Sequence, residues 1–355
     1  MQIIQRYVTA SLVGTTVLAL AVLVALFSFF SLIDQLEETG QGSYGVIEAV
    51  SYVLLTMPRL SYELFPIAAM VGSMAALGMM ANNSELTVIR TSGVSKSGLS
   101  IVLIRSGLLL VGIALVIGEL IAPFTEEKAQ HMRSIALSEQ IALKTKYGFW
   151  ARDGNSYINI RKILPGRAVE EIYIYEFDEN DELRSSIYAK SGEYEDNQWL
   201  LNDISQSILS DDEVVQKKFD KANWDSLLEP EMVNMLIVNP EYLTLWGLID
   251  YIDFLEQNSQ DSQRYKQALW TKVVRPISIL AMIILAVPLV RNTSRSTAVG
   301  QRVFLGALIG IVFHLLNQVC GHLGVVYGVP ASVSVSVPTL ILAIITLYLL
   351  RSRET

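Results

Sequence analysis

The sequence predicts a membrane α-helical protein with six transmembrane helices and an inserted all-β, jelly-roll-like domain. Three observations carry that class. Long apolar runs recur along the chain, an acidic stretch rich in β-formers separates the third run from the fourth, and basic residues gather on alternate loops. The composition agrees. Of 355 residues 51% are hydrophobic and 17% charged, against about 25% charge in an ordinary water-soluble domain.

The first run, Val8–Ile33, contains no charged residue. At about 1.5 Å of rise per residue it outreaches a hydrocarbon core of about 30 Å. It is too long for a signal-peptide core, so it is read as a retained helix. Further runs are Leu64–Ala81, Ile101–Ala122, Val274–Val290, Val303–Gly321 and Val333–Leu350. Backbone inside lipid must satisfy its own hydrogen bonds, so all six are expected to be helices. Pro66 and Pro276 are expected near helix starts and Pro288 near an end, where proline is tolerated.

Between Pro123 and Arg275 there are 17 basic and 27 acidic residues. Within it, Gly148–Trp224 alternates polar and apolar positions, as in Tyr157–Arg161 and, less cleanly, Ile172–Phe177. Turn signals at Gly154-Asn155, Pro165-Gly166, Asp178–Asp181 and Asp211-Asp212 divide it. About seven to ten antiparallel strands are expected, as a sandwich or jelly roll. Tyr242–Gln257 follows as a helix, with Leu245, Leu248, Ile249, Ile252 and Leu255 near a period of 3.6. The chain thus divides into 1–140 (three spans), 141–240 (β-domain) and 241–355 (connecting helix and three spans).

Loop charge orients the spans. The N-terminus, the Asn82–Arg105 loop, the Arg291–Arg302 loop and the C-terminal tail hold Arg6, Arg90, Lys96, Arg105, Arg291, Arg295, Arg302, Arg351 and Arg353, against Glu85 and Glu354. The positive-inside rule makes these cytoplasmic. Both termini are then inside, and the acidic β-domain is outside, which in a Gram-negative cell is the periplasm.

Several function classes are excluded. A net charge of −8 argues against a nucleic-acid binder. The single cysteine, Cys320, rules out an internal disulfide and a cysteine zinc site. There is no G-x-x-x-x-G-K-[ST] loop with which to hydrolyse ATP and no H-E-x-x-H zinc motif. Gly40–Gly45 spells G-x-G-x-x-G but follows a transmembrane helix, so it is read as a flexible turn. His314 and His322, flanking Cys320, are read as packing or hydrogen-bonding residues. No catalytic or metal-binding residue and no directly bound cofactor is assigned.

Two features point to function. In Asn82–Gly93, Ser84 can cap a helix, Glu85 sits in its first turn, Leu86 and Ile89 share a face, and Gly93 can end it. A short helix of about residues 83–92 between two spans fits either a coupling helix that docks on a cytoplasmic partner or an ordinary interfacial loop. Arg59 and Arg133 stand near the outer ends of spans. Arg59 can pair with Glu63 one turn on. Either guanidinium can instead hold a lipid phosphate through its bidentate fork.

The order of parts, together with Ile33–Leu36, Gly40–Tyr44, Ser84–Leu86, Thr91–Gly93, Ile117–Pro123, Gly148–Asn155, Ser259–Asp261 with Arg264-Tyr265, and Val326–Pro330, resembles the YjgP/YjgQ permease family over essentially the whole chain. The stretches are closer to its G-type than to its F-type members. The resemblance implies a permease subunit of an ABC transporter that extracts lipopolysaccharide from the outer leaflet of the inner membrane. It implies four partners: an F-type permease, a cytoplasmic ATPase dimer carrying the ATP and magnesium, a bitopic LptC-like jelly-roll subunit, and lipopolysaccharide itself. Ser84, Glu85, Leu86, Ile89 and Arg90 match the ATPase-docking segment. Arg59 and Arg133 match positions that present basic residues to lipid phosphates. Phe27, Phe30, Phe65, Phe313 and Leu316 would supply apolar cavity wall. Where family members can be basic near the outer end of the first helix, this chain has Ser31, Glu37 and Glu38. Ser31 is retained as a contact; phosphate recognition there passes to the F-type subunit or needs divalent cations. A lipoprotein-release type permease is the alternative, but such proteins have four spans. A lipid enzyme would need more buried ionisable groups than Glu119 and His314.

Overall fold

Six helices are long and apolar enough to cross a membrane, as the hydropathy pattern demands. They are seen in a computed structural model that describes residues 2–91, 96–137, 149–153, 155–163, 168–178, 182–195, 198–209, 214–224, 240–257, 260–292 and 298–351. Helices α1 (Gln2–Glu37) and α2 (Val46–Asn82) form an antiparallel pair. The short α3 (Glu85–Thr91) leads to α4 (Lys96–Val116), a single π-helical turn (Ile117–Ile121) and α5 (Ala122–Leu137). After the β-domain come a 3-10 turn (Pro240–Tyr242), α6 (Leu245–Gln257), α7 (Gln263–Asn292), α8 (Val299–Val326) and α9 (Ala331–Arg351).

Helix α2 is the scaffold. The most apolar window of α2 is 83% buried, against 17% for α1 and for α8, which makes those two the peripheral helices. Phe65, Met70, Met74 and Leu77 of α2 meet Leu103 and Leu110 of α4 and Met282, Ile283 and Ala286 of α7 in one core. The helices run past the apolar segments that mark them, because hydropathy records only the stretch matched to lipid. This corrects the placing of two prolines. Pro66 lies in the middle of α2, which also contains Pro58, and Pro276 lies well inside α7. Neighbouring helices support the backbone where each proline removes a donor.

Side-chain and backbone contacts identify the two ends of the bundle. At one end Tyr7 reaches Glu85, and Arg105 reaches Gln5. At the other, the Gly40–Gly45 turn docks on the end of α5, where the Ser43 N–H donates to the Ala136 carbonyl at 2.8 Å. That turn is therefore held in place, not flexible. Gly42 has φ of +54°, and a Cβ there would stand 2.6 Å from the Ala136 carbonyl oxygen.

The inserted domain is all-β. Strands β1 (Phe149–Asp153), β2 (Ser156–Ile163), β3 (Ala168–Phe177), β4 (Leu183–Glu195), β5 (Gln198–Leu209) and β6 (Val214–Trp224) form one antiparallel sheet in sequence order. Six strands are described where seven to ten were expected; 225–239 lie outside the described residues. Period-2 alternation divides the faces. Ile158, Ile160, Ile172, Ile174, Ala189 and Ile204 point one way and pack under Tyr251, Phe254 and Leu255 of α6. The opposite face carries aromatics. Trp150 stacks on Tyr175 at 5.9 Å, Tyr173 meets Tyr188 at 5.0 Å, and Arg161 lies over Tyr173 at 4.7 Å.

Candidate functional site

The short helix predicted between the second and third spans is present as α3. Ser84 stands just before it, and its carbonyl accepts from the Thr87 and Val88 N–H groups, each at 3.1 Å. Its φ is +60°, so it turns the chain through the left-handed region instead of taking the extended backbone of an ordinary cap. Glu85 opens the helix, where a carboxylate favours the dipole. Tyr7 Oη donates to Glu85 Oε2 at 2.8 Å and Asn83 Nδ2 to Glu85 Oε1 at 3.0 Å. Leu86, Ile89 and Arg90 follow on the same helix. Arg302, from α8, holds the end of α2 directly above. It is 2% exposed, and its Nη1 donates to the Gly78 carbonyl at 2.8 Å and to Asn82 Oδ1 at 2.9 Å. A cation here also meets the negative end of the α2 dipole.

The β-domain end is built from ion pairs. Arg59 binds Glu63 at 2.9 Å, one turn along α2, and buried Glu126 of α5 at 3.1 Å. Arg133 donates to both oxygens of Glu38, the shortest contact at 2.6 Å, and lies over the Tyr52 ring at 5.6 Å. Glu38 is therefore the partner of Arg133 and not an isolated acid in the way of a phosphate. Glu119 sits in the π-helical turn. It accepts from Lys272 Nζ of α7 at 2.7 Å and from the Leu245 N–H, the first residue of α6, at 2.9 Å. This carboxylate joins two membrane helices to the helix that floors the sheet. A single π-turn inside an α-helix often marks a functional position. Gly118 beside it admits Tyr62, since a Cβ there would strike the tyrosine ring at 2.5 Å.

A cavity of about 210 Å³ opens among α2, α7, α8 and α9 at this same end. Arg59, Tyr62, Glu63, Lys272, Arg275 and His314 line it, with Asn317, Gln318 and Gln267 beside them. Lys272 and Arg275 lie over the Tyr62 ring, at 5.7 and 4.4 Å. Polar groups inside a membrane bundle are costly and tend to mark function.

Comparison with known proteins agrees with this plan. Residues 6–352 match the family model described as the lipopolysaccharide export system permease LptF/LptG. The chain belongs to the LptF/LptG family. It is 31% identical over 353 residues to the lipopolysaccharide export system permease protein LptG of Haemophilus influenzae, covering 99% of each chain. It is 32% identical over 355 residues to LptG of Escherichia coli K12, again over 99% of each. The similarity covers both membrane halves and the β-domain, which fits a multi-pass inner-membrane transporter component.

Within this LptF/LptG-family chain the predicted site residues separate. Ser84, Glu85, Leu86, Ile89 and Arg90 lie together at one end of the bundle. Arg59 and Arg133 lie at the other end, each already paired with carboxylates. Phe27, Phe30 and Leu316 are exposed on the peripheral helices α1 and α8, and Ser31 is half-buried beside Phe30. Phe65 is not on such a wall. It is 1% exposed and packs in the core, because α2 is enclosed by its neighbours. Phe313 is also buried, against the polar cavity. Sequence reasoning missed Lys272, Arg275, Tyr62 and Arg302 as site residues. The available signal was charge inside or beside an apolar run, which singled out Glu119 but not the lysine that pairs with it.

Proposed function

We propose that this chain is the permease subunit of an ATP-driven exporter that lifts lipopolysaccharide from the outer leaflet of the inner membrane and passes it to a periplasmic β-bridge. ATP is hydrolysed on a separate cytoplasmic ATPase dimer that docks on α3. An F-type permease completes the cavity, and a bitopic jelly-roll subunit receives the substrate at the sheet edge by strand addition. Both termini face the cytoplasm and the β-domain faces the periplasm. Apolar Phe27, Phe30 and Leu316 face the acyl chains. Each CH₂ that leaves an apolar environment costs about 0.8 kcal/mol, so an external energy source is required.

The observation that supports this reading best is the placement of α3 and the β-domain at opposite ends of one bundle. Work done on α3 can reach the β-domain through the helices between them. Glu85 is bound to α1 through Tyr7, and α1 is one of the two peripheral helices. Six spans, not four, count against a lipoprotein-release permease.

The test is co-purification after expression with neighbouring subunits. The wild-type chain should bring down an ATPase dimer and a second six-span permease. Glu85→Lys should lose the ATPase, keep the second permease and stop export. Unchanged assembly and export in Glu85→Lys would overturn the docking assignment.

A further inference from the structure

The cavity at the β-domain end holds a cation that no carboxylate among the described residues neutralises. Lys272 is taken by Glu119, and Arg59 by Glu63 and Glu126. Among the described residues no carboxylate stands at ion-pair distance from Arg275; its guanidinium lies over the Tyr62 ring at 4.4 Å. The Tyr62 side chain is 5% exposed, and its buried hydroxyl has no hydrogen-bond partner among the described residues. His314 and Asn317, three residues apart on α8, line the same space together with Gln318. Two acids share the lining. Glu63 is occupied by Arg59, and Glu241 is exposed on the 3-10 turn.

The remaining chemistry is that of an oxyanion site. Arg275 is half-buried, and a guanidinium drawn partly out of water gains by meeting a counter-charge. Its planar fork fits two oxygens of a phosphate, and a hydroxyl, an imidazole and two amides can each donate to the others. Ile67 and Phe313 add apolar wall to the same cavity. We propose that Arg275, Tyr62, His314, Asn317 and Gln318 form a phosphate site within this single chain, and that it takes the phosphate of a lipid headgroup. The proposal rests on the reading of the chain as a permease for a phosphate-bearing lipid. It moves the phosphate contact to Arg275 from Arg59 and Arg133, whose forks are filled by carboxylates.

The test uses the full-length chain in the complex it forms with its co-expressed neighbours. Dioleoyl phosphatidic acid, dioleoyl phosphatidylcholine and inorganic phosphate are titrated separately, and bound species are counted by native mass spectrometry. Phosphatidylcholine, whose choline masks the phosphate charge, sets the background. Phosphatidic acid should bind saturably, tenfold or more weakly in Arg275→Gln, and with intermediate affinity in Arg275→Lys. Equal binding by wild type and Arg275→Gln overturns the site. Inorganic phosphate that binds as tightly as the lipid, with the same Arg275 dependence, overturns the headgroup source. Should Arg275→Gln fail to assemble, Asn317→Leu combined with Gln318→Leu should weaken phosphatidic acid at least threefold; wild-type binding there again overturns the site. Lipopolysaccharide export is measured on the same complexes. Binding that depends on Arg275 in a complex that exports nothing sinks the permease reading and leaves the site standing. Export by a complex whose lipid binding ignores Arg275 does the reverse.

Discussion

The two ends of the helical bundle treat charge in opposite ways. At the β-domain end, Arg59, Arg133 and Lys272 each meet a carboxylate, and the pairs tie α2 to α5, the α1–α2 turn to α5, and the π-turn to α7. At the other end cations outnumber acids, and the described contacts of Arg302 include a backbone carbonyl and an amide. Glu85 is bound there by a phenol and an amide, and no cation pairs with it among the described residues. The lesson is mechanical. One end is braced by ion pairs that are expensive to break. The other holds α3 by hydrogen bonds from a phenol and an amide to a single carboxylate, each worth about 1.5–3 kcal/mol, with no ion pair to that carboxylate among the described residues.

The largest expected effect tests the brace. Glu119→Leu leaves the Lys272 ammonium, 5% exposed, without its partner, and breaking a buried pair this way costs about 3–5 kcal/mol. Thermal unfolding should show a large loss, most of it recovered in the double variant Glu119→Leu/Lys272→Met. If the single and double variants melt together, the pair is not what braces this end.

A smaller effect is expected opposite. Arg302→Met removes the two bonds to the end of α2 at a cost of about 1.5–3 kcal/mol for a charged donor. It should also loosen α3, read as faster amide exchange in Glu85–Thr91 while the sheet is unchanged. Uniform loosening of the whole bundle would blur the distinction between the ends.

The smallest effect concerns the joint between α6 and α7. The Lys266 ammonium beside Glu256 holds its carboxyl below the usual carboxylate range, with the Ser262 hydroxyl adding a weaker bond. A depressed folded pKa stabilises the fold above the unfolded carboxylate range, and that contribution is lost as pH falls through the folded value. Wild type should therefore melt slightly above Glu256→Gln near neutral pH, and the gap should close on acidification. The pair is exposed and screened by salt, so the gap should also shrink at high ionic strength. A gap that widens in acid would contradict the assigned sign.

Local features of this chain were legible because they depend on neighbours in sequence. Hydropathy marks the spans, alternation marks β2 and β3, and Ser84–Glu85 marks the start of α3. Arg59 with Glu63 was legible for the same reason, being one helical turn apart. The burial of Phe65 was not, since an aromatic in an apolar run reads alike whether lipid or another helix covers it. Nor was the run of α2 through Pro58 and Pro66, where neighbours compensate for the missing donors.

The sequence by itself determined six membrane helices, an inserted β-domain and a short helix between the second and third spans. Hydrophobic periodicity and capping act within a few residues, so a linear pattern is enough to encode them. Only the tertiary structure decided which charges are taken and which are left. Arg59 finds Glu126 at a separation of 67 residues, Arg133 finds Glu38 at 95 and Lys272 finds Glu119 at 153. Coulomb energy depends on distance in space and on the surrounding dielectric, and neither can be read along a chain. Arg275 over the buried Tyr62 ring becomes visible only when those pairings are subtracted.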